Sequence, residues 1–147
     1  MIPRFAGLKR ALVWASFSTL PGLAAPTPEQ LQQLYQSASP FEAIPRTRWI
    51  AESPQAFVIA AKTPQAPVHL LIIPKKRVPT LLQAPDGLVT EMLALAKRVA
   101  REQGIEQDGF RLIINTHPDG GQSIYHFHIH LLGGRELGWA PGFKATD

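Results

Sequence analysis

The sequence predicts an α+β fold, an antiparallel sheet with one main helix covering a face. Three observations carry this. Several short β-rich segments are separated by turns containing Pro, Gly and Ser. One segment, from Asp86 to Gln103, repeats its apolar residues at helical spacing. A last segment, Tyr125 to Leu132, alternates apolar and polar side chains with the period of a half-buried strand. A sheet of this kind buries its apolar face by packing it under a helix.

In chain order, the first 25 residues stand apart. Arg4, Lys9 and Arg10 precede an apolar run from Ala11 to Leu20, Pro21-Gly22 breaks it, and Leu23-Ala24-Ala25 follows. Positive, then apolar, then small is the order of a secretory signal, with cleavage expected after Ala24 and the mature protein exported to a periplasm or secreted. A transit peptide and a simple N-terminal tail remain alternatives, because Ser16, Ser18 and Thr19 dilute the apolar run. The segment is too short for a stable membrane span, which takes about 20 apolar residues. Residues 26–147 then form a single domain.

Within that domain, Pro28 to Ser37 reads as a short helix, with Thr27 as its cap, Pro28 in the first position, and Leu31 and Leu34 on one face. Arg46–Glu52 and Gln55–Ala61 read as strands joined by a tight turn at Ser53-Pro54. Val68–Ile73 is a third strand, stopped by Pro74. Asp86 is expected to cap the main helix, which buries Leu88, Met92, Leu95 and Val99 and ends at Gly104. Phe110–Thr116 is a further strand, and Asp119-Gly120-Gly121 leads into the last, Tyr125–Leu132.

Composition narrows the function. The net charge of +4 is mostly that of the leader: residues 29–147 carry twelve basic and eleven acidic side chains, without a basic block beyond Lys75-Lys76-Arg77. A nucleic-acid footprint is therefore not expected. The chain has no cysteine, which excludes a zinc finger and a disulfide scaffold.

The last strand carries the chemistry. Alternation places Phe127, Ile129 and Leu131 on one side and His126, His128 and His130 in a row on the other. Such a row is compatible with a merely wet face, with a metal site, since imidazole is a common ligand, and with a nucleophilic imidazole oriented by its neighbours. Gly120 and Gly121 allow backbone N–H groups to turn toward an anion, and Gln122 and Ser123 add side-chain donors. The glycine pair alone equally describes a hairpin turn. Running directly into the histidines, it favours phosphoryl or nucleotidyl transfer.

The run His126-Phe-His-Ile-His130-Leu-Leu resembles the His-φ-His-φ-His-φ-φ signature of the histidine triad (HIT) superfamily. The longer stretch Asn115–Gly142 and the block Pro64–Lys76 look like its nucleotide-binding, purine nucleoside phosphoramidase branch (Hint). The resemblance runs from about Ala43 to Gly142. It implies a five-stranded antiparallel sheet, a homodimer, no cofactor and no metal. It also implies hydrolysis of a P–N or P–O bond of a nucleoside monophosphate derivative through a nucleotidyl-histidine intermediate. Carried over by position, His128 is the nucleophile, and His130 and Ser123 contact the phosphate and leaving group. His126 and His69 complete the polar network, and Asn115 with the backbone around Gly121 and Gln122 holds phosphate and sugar. Trp139 belongs to a segment that reaches toward the partner's site.

Two departures limit the transfer. The family's aspartate, which accepts from the ribose hydroxyls, is replaced by Ala61 within Ala60-Ala61-Lys62-Thr63. An alanine accepts nothing, and losing a charge-assisted partner weakens binding by about 1.5–3 kcal/mol. The expectation is that the phosphate chemistry survives and ribose selectivity is loosened. The family's N-terminal stretch is also missing, replaced by the Pro28–Ser37 helix and the leader. Ala61 keeps a nucleotide-binding protein of little turnover as an alternative, and the histidine row keeps an exported metal-binding protein as another.

Overall fold

A computed structural model of the protein describes residues 26–138; the expected targeting segment and Trp139 lie outside the described residues. The first element is a helix, α1 (Pro28–Gln36), capped by Thr27 as expected. The cap is reciprocal: the Thr27 hydroxyl accepts from the Gln30 N–H at 3.3 Å, and the Gln30 side chain accepts from the Thr27 N–H at 2.9 Å. None of the residues of α1 is fully buried. It is held instead through Arg77, whose guanidinium donates to the carbonyls of Tyr35, Ser37 and Tyr125.

The strands are β1 (Ala51–Glu52), β2 (Ala56–Ala60), β3 (Val68–Pro74), β4 (Phe110–Ile113) and β5 (Ile129–Gly133), and the main helix, α2 (Asp86–Glu102), connects β3 to β4. They form one five-stranded sheet in the order β1-β2-β3-β5-β4, antiparallel throughout. This is the architecture the sequence predicts, with local corrections. The first strand, expected from Arg46, pairs only at Ala51–Glu52, because Pro45 directs Arg46–Arg48 into a 3-10 turn closed by the Trp49 N–H on the Arg46 carbonyl at 3.0 Å. Asp86 is not the cap of α2 but its first residue; Pro85 occupies the cap position without a side-chain bond. The Asp86 carboxylate still lies at the positive end of the helix. β4 ends at Ile113 rather than Thr116.

The largest correction concerns the histidine segment. The paired strand begins at Ile129, so of the triad only His130 lies in the ladder. Opposite it, β3 runs out at Pro74, which has no N–H to donate. The segment before Ile129 is anchored differently: the Phe127 N–H bonds to the Val78 carbonyl at 2.7 Å. The alternation nevertheless holds. Phe127, Ile129 and Leu131 are completely buried with Val58, Leu70 and Ile72 against Leu88, Met92, Leu95 and Val99 of α2. Burying one such large side chain contributes about 1.5–3 kcal/mol, which fixes which face the histidines take.

The other face of the sheet carries a smaller cluster, Phe41, Phe57, Ile59 and Ile73, with Ile44, Trp49, Leu71 and Ile124 around it. In β3, Leu70 and Ile72 turn to the helix while Leu71 and Ile73 turn to this second face. One strand therefore serves a structural layer and the floor of a site.

Candidate active site

A cavity of about 650 Å³ opens over the second face. Its polar lining includes His69, Asn115, Ser123, His128 and His130, brought together from β3, the segment after β4, the glycine loop and β5. All five are predicted from the sequence. Ala61, Lys62 and Thr63 form part of the wall, with Phe41, Ile44, Ile59 and Leu71 as its apolar part.

The partners of each imidazole determine its tautomer. His128 Nδ1 is 2.8 Å from the His126 carbonyl, which only accepts, so Nδ1 carries the proton and neutral His128 has its lone pair on Nε2. His69 Nδ1 accepts from the Gln65 N–H at 3.0 Å, so the His69 proton is on Nε2 and is donated to His130 Nδ1 at 2.9 Å. Neutral His130 then carries its own proton on Nε2. His126 donates from Nε2 to the Pro74 carbonyl at 2.9 Å and accepts at Nδ1 from the Ser39 hydroxyl at 2.8 Å. The rings of His128 and His130 lie edge to face, with centroids 5.0 Å apart, and Phe41 stands edge-on to His128 at 5.2 Å.

Burial holds these rings neutral, since it disfavours the charged form. It lowers the pKa of His69, His126 and His128 below the ordinary value of 6.5. His130 falls to about 4, first through burial and then through repulsion from His128 and His69.

Three predicted residues take other places. His126 is 1% exposed and does not line the cavity; it braces the segment beneath. Gly121 and Gln122 do not reach the cavity either. Their N–H groups close the loop on the carbonyls of Pro118 and His117, and the Gln122 amide donates to the carbonyls of Pro79 and Ile124. The loop builds itself rather than an anion nest, and Ser123 is its contribution to the cavity. His117, the fifth histidine, bonds to the Tyr35 hydroxyl at 2.7 Å, away from the cavity.

Sequence reasoning missed Ser39, Phe41, Ile44, Gln65 and Arg48. Gln65 was within reach, since it lies in the Pro64–Lys76 block. Ser39 is 87 positions from the histidine it braces, and no local pattern connects the two.

A five-stranded antiparallel sheet with one long helix, carrying alternating histidines beside a cavity, defines a histidine triad protein. Residues 44–137 match the HIT domain family, and the chain belongs to it. Among curated relatives it is 50% identical over 82 residues to an uncharacterised HIT-like protein of Synechococcus elongatus, covering 54% of this chain and 71% of that one. It is 47% identical over 79 residues to the purine nucleoside phosphoramidase of Escherichia coli, covering 52% and 66%. It is 46% identical over 85 residues to a 14 kDa zinc-binding protein of Brassica juncea, covering 54% and 74%. Among solved structures, a HIT family hydrolase from Legionella pneumophila is similar at 41% identity and a TM-score of 0.63, covering 67% of this chain and 90% of that one. A histidine triad nucleotide-binding protein from Candida albicans is similar at 25% identity and a TM-score of 0.57, covering 71% and 79%. Among the described residues no helix is long and apolar enough to cross a membrane.

Proposed function

We propose that the protein is a metal-independent hydrolase that cleaves a P–N or P–O bond of a nucleoside monophosphate derivative through a nucleotidyl-His128 intermediate. The observation that carries this reading is the tautomer of His128: its proton is held on Nδ1 by the His126 carbonyl, and Nε2 keeps a lone pair at the cavity. Nε2 attacks the phosphorus and the bond to the leaving amine breaks. The anionic phosphate, brought beside His130, favours the protonated form that burial alone disfavours. The proton drawn onto the His69–His130 pair then leaves with the amine. Water afterwards breaks the P–Nε2 bond and frees His128. Asn115 and Ser123 supply donors to phosphate and sugar. The kinship with the Escherichia coli phosphoramidase supports the substrate class. The family resemblance also supports a homodimer, and the leader supports export.

Rapid quench with a labelled adenosine phosphoramidate tests the route. A covalent adduct is expected on the native protein and none on His128→Ala or His128→Gly, with turnover reduced at least a thousandfold. Full activity in either variant would exclude the covalent path.

A zinc-binding reading is favoured by the name of the Brassica juncea relative alone. The described residues do not fit an ion: His126 and His69 each have both ring nitrogens bonded, and no three His, Asp or Glu side chains among them are placed to hold one. Stoichiometric zinc after purification, with activity lost in chelator, would restore it.

A further inference from the structure

The charge of the cavity wall is one-sided. Arg48 and Lys62 both line the cavity, and no carboxylate does among the described residues. The acids nearest to Arg48 in sequence are engaged elsewhere. Glu52 is ion-paired to Arg46 and, at 2.7 Å, to Lys75, while Glu42 faces Arg77 at 3.8 Å. Neither Arg48 nor Lys62 is in an ion pair among the described residues.

The sheet fixes where these cations stand relative to the imidazoles. The Ile50 N–H bonds to the Val58 carbonyl, so the turn containing Arg48 lies beside the far end of β2, where Lys62 follows. The Ala61 N–H bonds to the His69 carbonyl on β3, and β3 pairs with β5. From β2 to β5 is two interstrand spacings, roughly 10 Å, and Lys62 lies toward the Val68–Gly133 end of the sheet while His128 precedes Ile129 at the other end, about five residues or roughly 16 Å along the strands, so only the long side chains of Arg48 and Lys62 bring the charges to the cavity they share with His128. The cavity thus has a nucleophilic end at His128 and a cationic end at Arg48 and Lys62. Both side chains are exposed, and two unopposed cations at one rim of a cavity raise the local concentration of anions there. A neutral hydroxyl facing Ala61 receives nothing comparable.

We propose that the cationic end binds a second anionic group, so that the substrate class is a phosphate derivative bearing a further phosphate or carboxylate beyond the reacting phosphorus. A nucleoside phosphoramidate phosphorylated on its ribose is the form this takes under the reading given above, on which the proposal rests. Arg48 and Lys62 are then specificity-determining residues.

The test separates binding from turnover. Adenosine 5′-monophosphate and adenosine 3′,5′-bisphosphate are titrated calorimetrically into the full chain and into an Arg48→Gln/Lys62→Gln variant, with Lys97→Gln on the solvent face of α2 as control. The bisphosphate is expected to bind at least tenfold more tightly to the native chain and to Lys97→Gln, with the ratio falling to within twofold of unity in the double variant. Equal affinities in the native chain, or a ratio unchanged in the double variant, would overturn the inference and leave the hydrolase reading standing. The expected ratios with no turnover of any phosphoramidate by the native chain would overturn the hydrolase reading and leave the inference standing. Binding of neither probe would overturn both.

Discussion

His128 donates its Nδ1–H to the backbone carbonyl of His126, 2.8 Å away and two residues back along the same segment. A backbone carbonyl cannot titrate or switch from acceptor to donor, so this bond holds one tautomer at every pH where the ring is neutral. Proton-detected nitrogen spectra of the imidazoles are expected to show His128 as Nδ1–H, and His69, His126 and His130 as Nε2–H. An Nε2–H tautomer for neutral His128 would remove the proposed nucleophile.

The same four rings make stability depend on pH in a defined direction. Each has its pKa lowered by burial, so between the folded value and 6.5 the unfolded chain binds more protons than the folded one. Stability then rises with pH in this window. It is complete above about 6.5 and is lost as the pH falls toward about 4, where His130 titrates. Urea midpoints measured between pH 7.5 and 4.5 are expected to decrease steadily below 6.5. A flat profile would mean that the histidines are not held neutral by the fold.

Ser39 positions the site from a distance. Its hydroxyl donates to His126 Nδ1 at 2.8 Å and accepts from the Phe41 N–H at 3.2 Å, and Phe41 in turn packs against His128. Ser39→Ala leaves a buried acceptor on His126 without its donor, which costs about 1–3 kcal/mol. Denaturant unfolding is expected to register that loss. Ser39→Thr, which keeps the hydroxyl, should recover most of it; if Thr is no better than Ala, the bond is not what stabilises the segment.

Most of the sheet and the active face were legible in the sequence because they rest on local periodicity. Leu88, Met92, Leu95 and Val99 repeat every three to four residues, and His126, His128 and His130 alternate with Phe127, Ile129 and Leu131. What was not legible depends on distant partners. Nothing near His126 signals that the ladder starts only at Ile129, because the cause is Pro74, 52 positions away. The Gln122 donors likewise look free for a ligand until the fold brings the Pro79 carbonyl to 2.8 Å from one of them. Tautomers depend on such partners too: the Pro74 carbonyl fixes that of His126 across 52 positions, while the Gln65 N–H and the His126 carbonyl fix those of His69 and His128 from within the two motif blocks.

Ala61 makes ribose selectivity measurable. It is half-buried in the cavity wall, where an aspartate would accept from ribose hydroxyls. Adenosine and 2′-deoxyadenosine 5′-phosphoramidates are expected to have kcat/KM values within about threefold of each other. In Ala61→Asp the ribose substrate should gain about tenfold or more over the deoxy one, the equivalent of about 1.5 kcal/mol or more. A strong ribose preference in the native chain would contradict the expectation.

The glycine loop provides the last prediction, because its two glycines are required for different reasons. A Cβ on Gly120 would stand 2.3 Å from the Thr116 carbonyl oxygen and 2.9 Å from the Thr116 nitrogen, both backbone atoms that cannot move without opening the loop. Gly121 has nothing within 4 Å of such a Cβ, but its φ of +76° is one that side chains disfavour by about 1–2 kcal/mol. Gly121→Ala should therefore lower stability by that amount and leave the loop in place. Gly120→Ala should displace Thr116 and with it the neighbouring Asn115, and through the shifted loop Ser123, so kcat/KM should fall more than tenfold even where the chain remains folded. Steady-state kinetics on both variants at a temperature where circular dichroism shows native spectra separates the two effects. Equal activities for Gly120→Ala and Gly121→Ala would mean that the loop's close approach to Thr116 does not position the site.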